Sequence, residues 1–287
     1  YSHILAKTMP EGILNLSFNA NGKLKDPQNF SVTAEGNSKQ IKLKGFAFDN
    51  VYVKYYMENG LVQIPQLTAR PYGGSVNINT RLNLKSENRP YLVNASVQDV
   101  NLNALIKDTT LKDKKVKGLL SSETVLNGYF NEKDSLKGKG WVQVTDGYLW
   151  EFPVVYGFLD TVFGVPPEYI TLTEAFGNFA IADKKIYTPD FKLLGEKAKL
   201  LWEGWLGFDA SLDFTITGRF AEDITKKITP AGKIADAILR EAGKLIVEVR
   251  LTGTIEKPNY QIVPFSINRM FKEKVIDKLQ SVFGGMF

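Results

Sequence analysis

Cysteine is absent from this chain, and histidine occurs once, as His3. No disulfide and no thiolate metal site can form. No Ser-His-Asp or Cys-His set can be built around a single histidine beside a fraying terminus. A metal site would rest on carboxylates alone. The most conspicuous acidic pair, Glu222-Asp223, fits a helix start instead, where acids meet the positive dipole end. No Gly-rich phosphate loop follows a strand, and Gly138, Gly140 and Gly147 read as hairpin glycines. A carboxylate-pair glycosidase stays compatible with the composition, but the residues favour a protein that is not an enzyme and needs no cofactor. Long apolar runs are missing too. The longest candidate, residues 152–165, falls short of the ~20 residues of a membrane-spanning helix and carries Asp160. A strong charge of one sign is also lacking: 36 basic against 31 acidic residues leave a formal net charge of +5. That is too mild for a nucleic-acid binder and suits weak attraction to anionic lipid headgroups. No signal peptide is visible. The chain opens at Tyr1 without methionine, as an excised fragment would, so an anchor or targeting segment is expected to have been removed.

What the chain has in quantity is strict alternation of apolar and polar residues, the period of a half-buried strand. Leu14, Leu16 and Phe18 alternate with Asn15, Ser17 and Asn19; Val76, Ile78, Leu82 and Leu84 with Asn77, Asn79, Arg81 and Asn83. Tyr91, Val93, Ala95 and Val97, then Leu212, Phe214 and Ile216, then Val247, Val249 and Leu251 repeat the pattern. Asn21-Gly22, Asn59-Gly60, Gly73-Gly74, Asn127-Gly128 and Asp146-Gly147 carry the residues that tolerate positive φ in tight hairpins. Sequential hairpins imply antiparallel neighbours.

Helices are few. Residues 101–108 suit one or two turns. Pro153 suits the first position of a short helix closed by Gly164. Thr229-Pro230 reads as a cap and first turn leading a helix to about residue 242, with Lys233, Arg240 and Lys244 on its basic side. A last helix is expected over residues 267–283, with Ile267, Met270, Phe271, Val275, Leu279 and Val282 on one stripe. It would dock on the sheet or, helped by Lys272, Lys274 and Lys278, contact a membrane or partner. The polar stretch 107–117 is the softest boundary. Residues 1–110, 118–266 and 267–287 then form an N-terminal β part, a C-terminal β part and an amphipathic helix, in one continuous domain or several.

Some fourteen apolar strand faces need cover, and the helices are too few to supply it. Exposing even ten such side chains would forfeit on the order of 15–30 kcal/mol, more than the roughly 5–15 kcal/mol that holds a typical domain together. The faces must pack as a dry sandwich, curl on themselves or hold an apolar ligand. Periodicity does not choose among these.

Several segments carry a resemblance. Leu136-Lys-Gly-Lys-Gly140 leads into Trp141-Val-Gln-Val-Thr-Asp-Gly147; Ala175-Phe-Gly-Asn-Phe179 precedes Ile181-Ala-Asp-Lys-Lys-Ile-Tyr187; and Leu251-Thr-Gly-Thr-Ile-Glu-Lys-Pro258 closes a strand at a proline. Upstream, Tyr72-Gly73-Gly74 before a long alternating strand and Val97-Gln-Asp-Val-Asn-Leu102 fit the same set. In this order, residues 118–264 resemble the C-terminal region of AsmA-like proteins, the group that includes TamB and YhdP. The resemblance implies a mostly β fold with a curled, taco-like antiparallel sheet, an apolar inner groove and a few short helices. It also implies a periplasmic protein tethered to the inner membrane, which serves phospholipid transport toward the outer membrane and outer-membrane integrity. Phospholipids would be the partners, with the membrane reached through the missing anchor or the C-terminal helix.

By strand parity the groove would be lined by Val76, Ile78, Leu82, Leu84, Val93, Val142, Val144, Leu212, Phe214, Ile216, Val247 and Leu251. Val154, Phe158, Leu159, Val162 and Phe163 would form a plug of the core or a lid over the groove. An acyl chain gains about 0.8 kcal/mol per buried methylene on such a wall. Two other readings stay open: a structural or assembly module of the envelope with a dry core, and a carbohydrate-binding β module. The second would use Trp141, Trp150, Trp202 and Trp205, for which core packing is the plainer role.

Overall fold

The computed structural model of the chain describes residues 10–22, 30–149, 151–163, 170–221, 238–241 and 244–263. Their dominant element is one open antiparallel sheet of sixteen strands. In chain order these are β1 (Glu11–Gly12), β2 (Asn15–Asn21), β3 (Ser31–Leu43), β4 (Phe46–Glu58), β5 (Leu61–Arg70), β6 (Ser75–Asn83), β7 (Pro90–Asn101) and β8 (Lys117–Tyr129). There follow β9 (Glu132–Tyr148), β10 (Glu174–Ala182), β11 (Lys185–Leu194), β12 (Ala198–Gly207), β13 (Ser211–Phe220), β14 (Ile238–Glu241), β15 (Lys244–Thr254) and β16 (Pro258–Ile262). From β3 to β13 each strand pairs with the next in sequence, through short hairpin connections except at β7–β8 and β9–β10, where residues 102–116 and 149–173 intervene. Both ends of the sheet are composite. β2 and β1 pair with successive parts of β3, and β14 and β16 with successive parts of β15. Short, broken edge strands are poor templates for further pairing.

Two compact units divide the chain: residues 1–113 with 119–138, and residues 114–118 with 139–287. In the first unit, Asn59 (φ 49°) and Gly60 (φ 71°) turn β4 into β5, both in the left-handed region that a two-residue hairpin needs. At the next hairpin the turn pair is Tyr72 (φ 50°) and Gly73 (φ 83°), one residue earlier than the Gly-Gly signal points. Gly74 follows the turn, where a Cβ would run into the Gln98 carbonyl and the Val100 backbone. Helix α1 (Leu102–Leu105) and the 3-10 turn Ile106–Asp108 occupy the predicted helical stretch, capped by Asn101 accepting from the Ala104 N–H at 3.1 Å. The Tyr72 hydroxyl donates to Asp108 at 2.7 Å and accepts from the Ala47 N–H at 3.2 Å, tying this segment to two hairpins.

The second unit has a dry core. Leu149, Phe158, Leu159, Ile170, Leu172, Leu200, Ile216, Phe220, Val247, Val249 and Leu251 are all under 2% exposed or close to it. Helix α2 (Pro153–Phe163) starts at Pro153 as predicted and packs on β16. Phe158 stacks over Phe220 at 6.5 Å between ring centroids, and Phe163 meets the same ring edge-on at 4.4 Å. The Tyr260 hydroxyl donates to the Val154 carbonyl at 2.9 Å, a contact that fixes the first turn of α2 to β16.

Three expectations are corrected. Asn127-Gly128 lies inside β8, where Gly128 pairs with Tyr91 and leaves room for its ring; the chain turns three residues later, at Phe130 and Asn131 between Tyr129 and Glu132. Asp146-Gly147 lies inside β9, with Asp146 in the left-handed region (φ 51°) and the Gly147 N–H donating to Thr173 at 2.7 Å. Residues 238–241, expected within a helix, form β14, because pairing with β15 from Ile238↔Val247 to Glu241↔Lys244 outweighs helical propensity. The remainder of that expected helix and the whole of residues 267–283 lie outside the described residues, as do His3, Glu222-Asp223 and Trp150.

Burial pushes the Tyr260 hydroxyl from 10.0 up to about 12. A raised folded-state pKa contributes stability that is complete below about pH 10 and is lost as the pH climbs toward 12. Tyr260→Phe is expected to cost about 1 kcal/mol at neutral pH through the lost hydrogen bond. Its deficit relative to the unaltered chain should shrink as pH rises through that window. Urea midpoints at stepped pH check this, and a pH-independent deficit would contradict it.

Candidate functional site

Residues directly opposed in an antiparallel pair share a face, so the register decides which side chains form a surface. In the first unit one row crosses seven strands: Leu16, Gly36, Val53, Leu67, Ile78, Ala95 and Thr124. A second row runs parallel to it through Ala20, Val32, Met57, Val62, Leu82, Tyr91 and Gly128. Val76 opposite Val97 and Thr80 opposite Val93 add to the same surface. The opposite face is polar. Asn15, Asn37, Tyr52, Thr68, Asn77, Ser96 and Glu123 form one of its rows, with Asn15 and Asn37 hydrogen-bonded at 3.3 Å. Asn94 donates to Asn79 at 2.8 Å in the neighbouring positions.

Among the described residues no second layer closes over the apolar face. The main contacts of this unit run between hydrogen-bonded neighbours, with α1 resting on β7. Most of the face is half-buried; Gly36, Val62 and Ala69 are buried. Toward β2 the exposure rises, with Leu14 at 48%, Leu16 at 57% and Phe18 at 71%. About ten aliphatic side chains covered only halfway leave on the order of 10 kcal/mol of burial unrealised.

Of the predicted lining residues, Val76, Ile78, Leu82 and Val93 come together on this half-open face. Leu84 lies just past β6, half-buried, its N–H donating to the Gly60 carbonyl at 2.8 Å. The others fall in the second unit. Val142 is half-buried and Val144 buried. Leu212 is buried, and Ile216, Val247 and Leu251 have no exposed surface at all. Phe214, half-buried, meets Trp202 edge-on at 5.8 Å. Ile216 pairs with Val249 and Phe214 with Leu251, so these residues share one face, the face on which Phe158 and Phe220 pack around Gly218. There Phe158 and Leu159 are buried, Val154 and Phe163 half-buried, and α2 fills space as a plug; the side chain of Val162 lies outside the described residues.

Sequence reasoning missed Val53, Leu67 and Tyr91 as members of the half-open face. The signal for Leu67 was Pro65. A proline lacks the ladder N–H and marks a bulge, and the β5–β6 register does shift between Ile64 and Leu67. Trp202 is buried and Trp205 carries the Lys185 ammonium 3.5 Å from its ring centre, so neither offers a bare stacking platform. Among the described residues no group of three or more Asp, Glu or His is placed to hold a metal ion, and no helix is long and apolar enough to cross a membrane. The chain matches no protein-family model, no curated protein and no solved structure.

The two faces should respond differently to charge. Ile216→Asp places a carboxylate in a dry core and is expected to cost more than about 4 kcal/mol. Ile78→Asp, on a half-open face, should cost about 1–2 kcal/mol. The four tryptophans all lie in the second unit, so their fluorescence follows that unit and circular dichroism follows the whole chain during denaturation. Equal costs at the two positions would contradict the assignment.

Proposed function

We propose that the apolar face of the first unit holds lipid acyl chains, and that the protein is a non-catalytic lipid-binding and lipid-conducting module of the bacterial envelope. The supporting observation is a continuous apolar surface, two side-chain rows deep across seven strands, left half-open. Aliphatic walls without fixed polar contacts bind tails and tolerate different headgroups, because the gain comes from methylene burial of about 0.8 kcal/mol each. On the sequence resemblance to AsmA-like proteins, such a module would sit in the periplasm, tethered to the inner membrane, and serve phospholipid transport to the outer membrane. The packed core of the second unit supports a companion reading, in which that unit is a structural element that anchors the sheet and takes no lipid. The groove is then confined to Val76, Ile78, Leu82, Val93 and their row neighbours. The decisive preparation is the chain purified without detergent and extracted with organic solvent for mass spectrometry. Co-purifying phospholipid near one or more molecules per chain, reduced by Ile78→Asp in a folded protein, is the expected outcome. A folded chain free of lipid, and unable to take it up from vesicles, would leave the structural role alone.

A further inference from the structure

The polar face of the first unit carries a second feature, on the opposite side of the sheet from the apolar rows. A cleft of about 390 Å³ lies at the end of β5, β6 and β7, within the roughly 300–1,000 Å³ of small-ligand sites. Register builds its floor. Thr68, Asn77 and Ser96 are opposed in one cross-strand row, and Ser75 and Gln98 in the next, beside Arg70 at the end of β5. Asn50 closes one side from the irregular stretch of β4, in the left-handed region with φ 49°.

The cleft's polar side chains are not tied to one another, and Asn50, Arg70, Ser75, Asn77 and Gln98 are exposed to solvent. Two positions along the same strands, Asn79 and Asn94 satisfy each other at 2.8 Å. In the cleft none of the seven polar side chains is hydrogen-bonded or ion-paired to another protein group among the described residues. Arg70 is the only charged lining residue. Asp49, its register partner on β4, stands outside the lining and accepts from the Gln40 amide at 2.8 Å.

We infer that this cleft is a binding site for a phosphorylated polyol. A guanidinium presents a planar fork of donors that matches two oxygens of a phosphate. Hydroxyls and carboxamides each donate and accept, as polyol hydroxyls do. Ala69 and Val76, strand positions of the apolar parity, complete the lining; no aromatic ring is among the lining residues, so recognition falls on the hydrogen bonds and the single cation. The phosphate belongs either to a soluble sugar or glycerol phosphate or to the headgroup of a phospholipid presented from a membrane. A lipid whose tails lie on the apolar rows cannot reach across the sheet. The site is therefore independent of the tail-binding reading, and the failure of either leaves the other standing.

Calorimetric titration of the full chain with glycerol 3-phosphate and glucose 6-phosphate, with backbone amide shifts to locate the site, tests the inference. Saturable binding is expected, with shifts centred on Asn77 and Ser96 and with inorganic phosphate or glucose alone weaker by roughly tenfold. Arg70→Ala should weaken binding at least about tenfold and Arg70→Lys less, since it keeps the charge but not the fork. Asn77→Asp should abolish binding by placing an anion in the floor. Arg70 is exposed, so its variants are expected to retain the circular dichroism of the parent. Competition by phosphatidylglycerol vesicles would identify the headgroup source, and its absence the soluble one. No saturable binding, equal binding of inorganic phosphate, or unchanged affinity in Arg70→Ala would overturn the assignment.

Discussion

Cross-strand register is the constraint on which everything else in this protein depends. Side chains alternate between faces with a period of two, so a slip of one residue in any pairing would exchange the apolar and polar faces beyond it. From β2 to β8 the pairings hold Leu16, Val53, Leu67 and Ile78 in one line and Val32, Val62 and Leu82 in another. Where a strand is irregular, as at Pro65 in β5, the shift returns the next apolar residue to the common face. The reward for correct register is contact between neighbouring aliphatic groups on each row, about 0.2–1 kcal/mol per cross-strand pair.

The two units answer the same problem differently. In the second, α2 supplies the missing layer: Phe158, Leu159 and Phe163 cover the face that carries Ile216, Val247, Val249 and Leu251, and the Tyr260–Val154 hydrogen bond holds the helix in place. In the first, the only described helix, α1, is a single turn that covers the end of β7 and leaves the rows half-open. A face in that condition gains from any apolar partner of the right length. On the proposed lipid-binding reading, a tail would supply methylenes without demanding a shaped pocket, and the difference in cover between the two units would be a difference in capacity for ligand.

The strands and their faces were legible in the sequence because alternation is a local property. The runs around Ile78, Val93 and Phe214 emerge as strands with the expected parity. The short helices at residues 101–108 and at Pro153 were equally legible, through a cap and a proline at the first position. Turn dipeptides were less reliable. Asn127-Gly128 sits within a strand because Tyr91 needs a residue without a side chain opposite it. Burial was not legible at all. Ile78 and Ile216 follow the same pattern in sequence, yet one is half-open and the other has no exposed surface, because cover depends on where a distant helix docks. The cleft around Arg70 was invisible for the same reason, since its floor comes from three strands and its rim from a fourth.

The claim that the first unit's face is open to an apolar ligand while the second unit's is closed has a direct measurement, made simple by the absence of native cysteine. Single cysteines at Val93 and at Val249 would be reacted with a maleimide, in lipid-free protein and again after addition of phospholipid. The account predicts that the thiol at 93 reacts readily without lipid and is protected by it, while the thiol at 249 is protected in both. A thiol at 93 that is unreactive without lipid, or equally reactive with it, would contradict the account.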